Sequence, residues 1–207
     1  MRHLIFAAFC LLPALAHGEE QLRTTAGFDS IYIKGPINLD IEAGKAHSLK
    51  LTGNGVYFRR IVTEVVDGRL NISFEKENKK IEIDDLPHII LTMPTLSRLV
   101  EEGAGETVLT NIDSKRLDIN YKGAGRLAAS GKVKHLFLEA RGVGEIDTKA
   151  LIVQDADVDF EGIGSVQIYA NRRLDVSVKG MGDLTYYGNP HVLNKSITGF
   201  GNVKAGD

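Results

Sequence analysis

Acidic residues thicken between Asp155 and Glu161, where Asp155, Asp157, Asp159 and Glu161 occupy every second position. Residues at period two share one side of an extended chain, so a strand here presents Asp157, Asp159 and Glu161 as an outward row. Such a row has the chemistry to hold a hard cation through oxygen ligands, or to supply the acid and base of a glycosidase or lyase. The competing reading is a solvated face balanced by charges on neighbouring strands. It is favoured, because Arg141 and Lys179 stand at the same place in the surrounding pattern as Glu161. Tyr186-Tyr187-Gly188-Asn189-Pro190 is the most distinctive local string; its tyrosines suit either stacking on a sugar or closing the end of a core. Asp157, Asp159, Glu161, Tyr186 and Tyr187 are therefore the candidate ligand-binding residues. His47, His88, His135 and His191 are scattered without metal-ligand spacing, so no metal site is expected. No serine sits in a nucleophile elbow and no His–Asp pairing is readable, so no catalytic residue and no cofactor is assigned.

A second set of residues invites chemistry. Gly103-Ala104-Gly105, Gly123-Ala124-Gly125, Gly142-Val143-Gly144, Gly162-Ile163-Gly164, Gly180-Met181-Gly182 and Gly199-Phe200-Gly201 follow at steps of 20, 19, 20, 18 and 19 residues. A dinucleotide fingerprint would need a third glycine at a strand-to-helix turn, and no helix pattern follows. A calcium-binding nonapeptide array would need a period of nine. The mismatches leave a geometric role: glycines at corners that the chain revisits once per repeat.

The elements that position these residues follow from the same period. Six, four and two residues before the first glycine stand Leu117, Ile119, Tyr121; then Leu136, Leu138, Ala140; Ala156, Val158, Phe160; Leu174, Val176, Val178; and Leu193, Lys195, Ile197. Four residues after it stand Leu127, Ile146, Val166, Leu184 and Val203. Shared offsets stack these residues in columns, which one repeat cannot bury alone and neighbouring repeats bury together. Lys195 breaks its column in the last repeat. The polar residue after each glycine pair, from Glu106 to Asn202, points outward. The expected fold is all-β: a stacked-repeat, parallel β-helix-like solenoid with roughly 19–20 residues per coil, into which N-terminal strands and hairpins continue. An antiparallel sandwich explains the strands but not the constant period.

The earlier chain reads as short strands. Ile31 to Ile41 carries two apolar segments broken at Gly35-Pro36, and Ser48 to Thr52 alternates. Ile61 to Val66 and Leu70 to Phe74 flank Asp67-Gly68, a dipeptide suited to a tight hairpin. A charged run, Glu75 to Lys80, reads as a solvated loop before strands at Ile81-Glu82-Ile83 and Ile89 to Met93.

The chain has 207 residues, 22 of them glycine, no Trp and a formal charge of −2, which gives no whole-chain footprint for nucleic acid. Residues 1–18 read as a secretory signal peptide: Met1-Arg2-His3 is basic, Leu4 to Leu12 is apolar, and Ala14 and Ala16 suit cleavage. The apolar run is too short to span a bilayer. Cys10, the one cysteine, falls inside it, so the mature chain holds no disulfide. Residues 19–27 are expected to be a flexible lead-in, and 28–207 a single β-solenoid domain.

The opening Phe28-Asp29-Ser30-Ile31, the recurring Gly-x-Gly, and the close Gly-Met-Gly-Asp-Leu-Thr-Tyr-Tyr-Gly-Asn-Pro (180–190) with Gly199-Phe200-Gly201-Asn202-Val203 resemble the head GIN domain family. This is a bacterial domain of unknown function carrying an autotransporter-adhesin label. The resemblance implies an exported, all-β, β-helix-like protein and brings no catalytic residues. The expectation is a non-enzymatic periplasmic or cell-surface module that binds a cell-envelope glycan or protein, with coil ends able to pair into a homo-oligomer. A polysaccharide lyase or hydrolase on the same scaffold is the alternative.

Overall fold

The computed structural model describes residues 19–75 and 86–207. The expected signal peptide with Cys10, the charged run after Glu75 and the strand at Ile81-Glu82-Ile83 lie outside the described residues.

The fold is all-β with one short helix. The elements are β1 (Glu19–Arg23), β2 (Ser30–Pro36), β3 (Asn38–Ala43), β4 (Ser48–Gly53), α1 (Gly55–Phe58), β5 (Ile61–Val66), β6 (Arg69–Phe74), β7 (His88–Met93), β8 (Arg98–Tyr187), β9 (Val192–Gly199) and β10 (Asn202–Ala205). They form one open sheet in the order β1-β4-β7-β3-β8-β2-β6-β5, with β9 and β10 also paired to β8. All pairings made by β8 are parallel, and antiparallel strands finish the N-terminal end, β1 on β4 on β7 and β5 on β6. Residues 19–27, expected to be loose, contain β1. It is held there partly by Arg23, whose guanidinium donates to the carbonyls of Ile61 and Phe58. The hairpin at Asp67-Gly68 forms as its sequence requires, with φ of 50° and 74° at the two turn residues.

β8 is a continuous extended run of 90 residues. Stretched straight it would reach about 300 Å at the usual rise per residue; instead the chain returns alongside itself every 18 to 20 residues. The glycines mark the return. A Cβ added to Gly123 would land on the carbonyl of Gly103, one on Gly142 on that of Gly123, one on Gly162 on that of Gly142, and one on Gly199 on that of Gly180. Gly162 also has φ near +154°, which a side chain resists. The column begins earlier than the sequence pattern indicates, because Gly35 of β2 pairs with Gly103.

Burial follows the columns. Every residue of the rows at Leu117, Leu136, Ala156 and Leu174 is buried, as are Leu127, Ile146, Val166, Leu184 and Val203. Two polar residues occupy core positions, Glu101 and Thr107, and the Thr107 hydroxyl donates to the Glu101 carboxylate at 2.8 Å. At the C-terminal end the rows open: Leu193 is half-buried, while Lys195, Ile197 and Phe200 are exposed.

Candidate functional site

The side chains between the buried rows point the other way and line a concavity of about 730 Å³ on the outer face. Its walls come from five successive passes of the chain. One row runs Asn120, Glu139, Asp159, Ser177, Ser196; the next runs Asp118, Phe137, Asp157, Asp175, Asn194. Each row takes one residue per pass because the offsets from the glycines are constant. The register that buries Ile119, Leu138, Val158 and Val176 therefore places their neighbours in the groove.

Bonds between passes fix these side chains. Asn120 donates to Glu139 at 2.7 Å, and Asn194 donates to Asp175 at 2.6 Å. Arg173 reaches both oxygens of Asp157 at 3.0 Å and also Asp175. Arg116 lies 4.1 Å above the Phe137 ring while its guanidinium bonds Asp118. The groove is thus polar and rich in hydrogen-bonding groups, with one half-shielded aromatic ring. Burial pushes the Asp157 carboxyl above its ordinary value; Arg173 opposes this and Asp175 adds to it. One oxygen of Asp159 is sealed from solvent without a hydrogen-bond partner.

The candidate residues separate. Asp157 and Asp159 line the groove. Glu161 continues their row but pairs with Arg141 of the neighbouring pass at 3.4 Å. Asp155 is buried at 4% exposure and bound by His135 and Arg172. Tyr186 and Tyr187 lie elsewhere: Tyr186 packs against the core beneath Lys195, and Tyr187 carries Lys149 over its ring and donates to Gln167 at 3.3 Å. Among the described residues, no group of three His, Cys, Asp or Glu side chains is placed to hold a metal ion. No helix among them is long and apolar enough to cross a membrane.

Asn120, Phe137, Glu139 and Ser177 are groove residues that the sequence reading passes over. Their signal is positional: odd offsets before each glycine pair, in rows where residue type changes from pass to pass.

The sequence profile of a family described as "Putative auto-transporter adhesin, head GIN domain" matches residues 27–190. No curated protein matches the chain. Among solved structures, the chain is similar to a putative adhesin from Bacteroides fragilis, with 23% identity, a TM-score of 0.74, and 92% of this chain and 98% of that chain covered. It is also similar to a putative lipid binding protein from Parabacteroides distasonis, with 21% identity, a TM-score of 0.42 and coverage of 93% and 98%. A putative adhesin from Parabacteroides merdae is 15% identical, with a TM-score of 0.44 and coverage of 93% and 97%. The Bacteroides fragilis protein shares the fold, the family profile spans most of the residues that build it, and the chain belongs to the head GIN domain family.

Proposed function

We propose that this protein is an exported, non-enzymatic module of the bacterial periplasm or cell surface, and that its outer groove binds a cell-envelope glycan. The scaffold is a β-solenoid of roughly 19–20 residues per coil, with the glycine pairs at its corners. The observation that carries the reading is the groove: rows of amide, hydroxyl and carboxylate groups one per pass, with Phe137 among them, across five passes. Successive passes in a sheet are about 4.8 Å apart, so the groove offers a regular ladder of polar groups to an elongated polyhydroxylated chain. The family's adhesin description supports the same reading. Glycan arrays and envelope pull-downs with the purified protein test it. Binding that falls at least tenfold in an Asn120→Ala/Phe137→Ala double variant is expected; retained binding to envelope proteins alone would move the partner from glycan to protein.

A carbohydrate-active enzyme is the second reading, favoured by the raised pKa of Asp157 beside the half-sealed carboxylate of Asp159. Against it, Arg173 grips both oxygens of Asp157, and Arg141 holds Glu161. Reducing-end release from a polysaccharide panel, abolished by Asp159→Asn, would establish it.

A further inference from the structure

Most charges on this surface are compensated between passes. Arg126 bonds Glu106, Arg141 pairs with Glu161, Arg173 spans Asp157 and Asp175, and Arg172 holds Asp155. One place breaks the pattern. Lys115, Lys132 and Lys134 surround a second concavity of about 370 Å³, away from the groove, where the chain turns between its buried rows. All three are exposed, and none makes an ion pair or hydrogen bond among the described residues. Lys115 and Lys134 stand at the same offset, eight residues before Gly123 and Gly142, so they occupy adjacent passes. Like charges on adjacent strands repel and destabilise the sheet. The backbone that carries them cannot splay to relieve this: a Cβ on Gly131 would overlap the Ile112 carbonyl. Asp113 is the one carboxylate at the rim, and it pairs with none of the three. Gln154 and Asn171 add uncharged amides to the wall.

We propose that this concavity is an anion-binding subsite that takes a phosphate or sulfate monoester group. Three ammonium groups against one carboxylate leave it positive, and each lysine offers three unused donors to tetrahedral oxygens. Occupation by an anion would remove the repulsion between Lys115 and Lys134 that the free protein carries. The subsite is independent of the glycan reading of the groove, since the two concavities share no lining residue.

The test is a titration of the purified protein with inorganic phosphate and inorganic sulfate against chloride at constant ionic strength, followed by amide shifts. Saturable shifts confined to residues 113–115 and 131–134 are expected, with apparent affinity at least tenfold lower in Lys132→Gln/Lys134→Gln. Lys122→Gln/Lys179→Gln, which removes two other unpaired lysines, should leave it unchanged. Equal losses in the two double variants, or no saturable shift, would overturn the proposal. A phosphorylated soluble oligosaccharide and vesicles containing phosphatidylglycerol then separate the sources: tighter binding of the first assigns the group to a glycan, of the second to a lipid headgroup. Failure of the groove variants to affect glycan binding would leave the phosphate shifts untouched, so the two readings fall separately.

Discussion

Glu101 stands in a core column where later passes place Tyr121, Ala140, Phe160 and Val178, and it is only 2% exposed. Burial raises its carboxyl pKa from 4.5 to about 7, with the Thr107 hydrogen bond pulling the other way. Burial also raises the Tyr121 hydroxyl to about 12, with the charge of Glu101 adding to it. A raised carboxyl pKa means that the native chain keeps a proton the unfolded chain has released. Its contribution is fully present below the unfolded value and is lost as pH rises through the folded one, levelling off above pH ~7 at a cost of about 3 kcal/mol. Chemical denaturation of wild type and Glu101→Gln should therefore agree near pH ~4 and diverge by about 3 kcal/mol near pH ~8, the variant being more stable. Parallel pH profiles would show that Glu101 is not protonated in the native state. Glycines give a second contrast at this scale. Gly162→Ala drives a Cβ into the Gly142 carbonyl, whereas Gly44→Ala meets nothing within 4 Å at a φ of +85°. The first should cost more than about 4 kcal/mol or abolish soluble folded protein, and the second only about 1–2 kcal/mol of backbone strain, as thermal melts would show.

At the scale of elements, the parallel strands end at β9, which offers one edge to solvent. An exposed edge with apolar neighbours is a template for pairing with another chain, and an inward-pointing charge is one way to block it. Lys195 occupies the core column above Val176, donates to the Val203 carbonyl at 3.2 Å and lies 5.3 Å from the Tyr186 ring centre. Lys195→Val should convert the end into an apolar face beside Ile197 and Phe200 and promote end-to-end association, read by sedimentation velocity. A variant as monodisperse as wild type would remove this role from Lys195. The inward columns were legible in the sequence because burial selects one kind of residue at each offset, as at Ile119, Leu138, Val158 and Val176. The groove was not, because its positions select only for polarity and change type at each pass, as from Asn120 to Glu139 to Ser177. Gly35 was missed as a member of the glycine column because the chain makes β3 to β7 before returning to it at Gly103. β1 was missed because Glu19–Arg23 is polar and nearly all exposed, and strand pairing there owes little to apolar alternation.

For the whole molecule, one structural rule serves two purposes. A constant number of residues per return stacks apolar side chains into a shared core and, by the same register, lines up polar side chains in the groove outside it. The account predicts that ligand recognition is distributed along the groove and does not depend on one constellation. Substitutions in separate passes, such as Asn120→Ala and Ser177→Ala, should each weaken glycan binding modestly and add in combination. The most direct test is an amide-shift map of the protein titrated with polysaccharide from the bacterial envelope. The account predicts perturbations concentrated along the rows from Asp118 and Asn120 to Asn194 and Ser196, weakened by Asn120→Ala/Phe137→Ala. Perturbations centred on Tyr186 and Tyr187 or absent from those rows would contradict it.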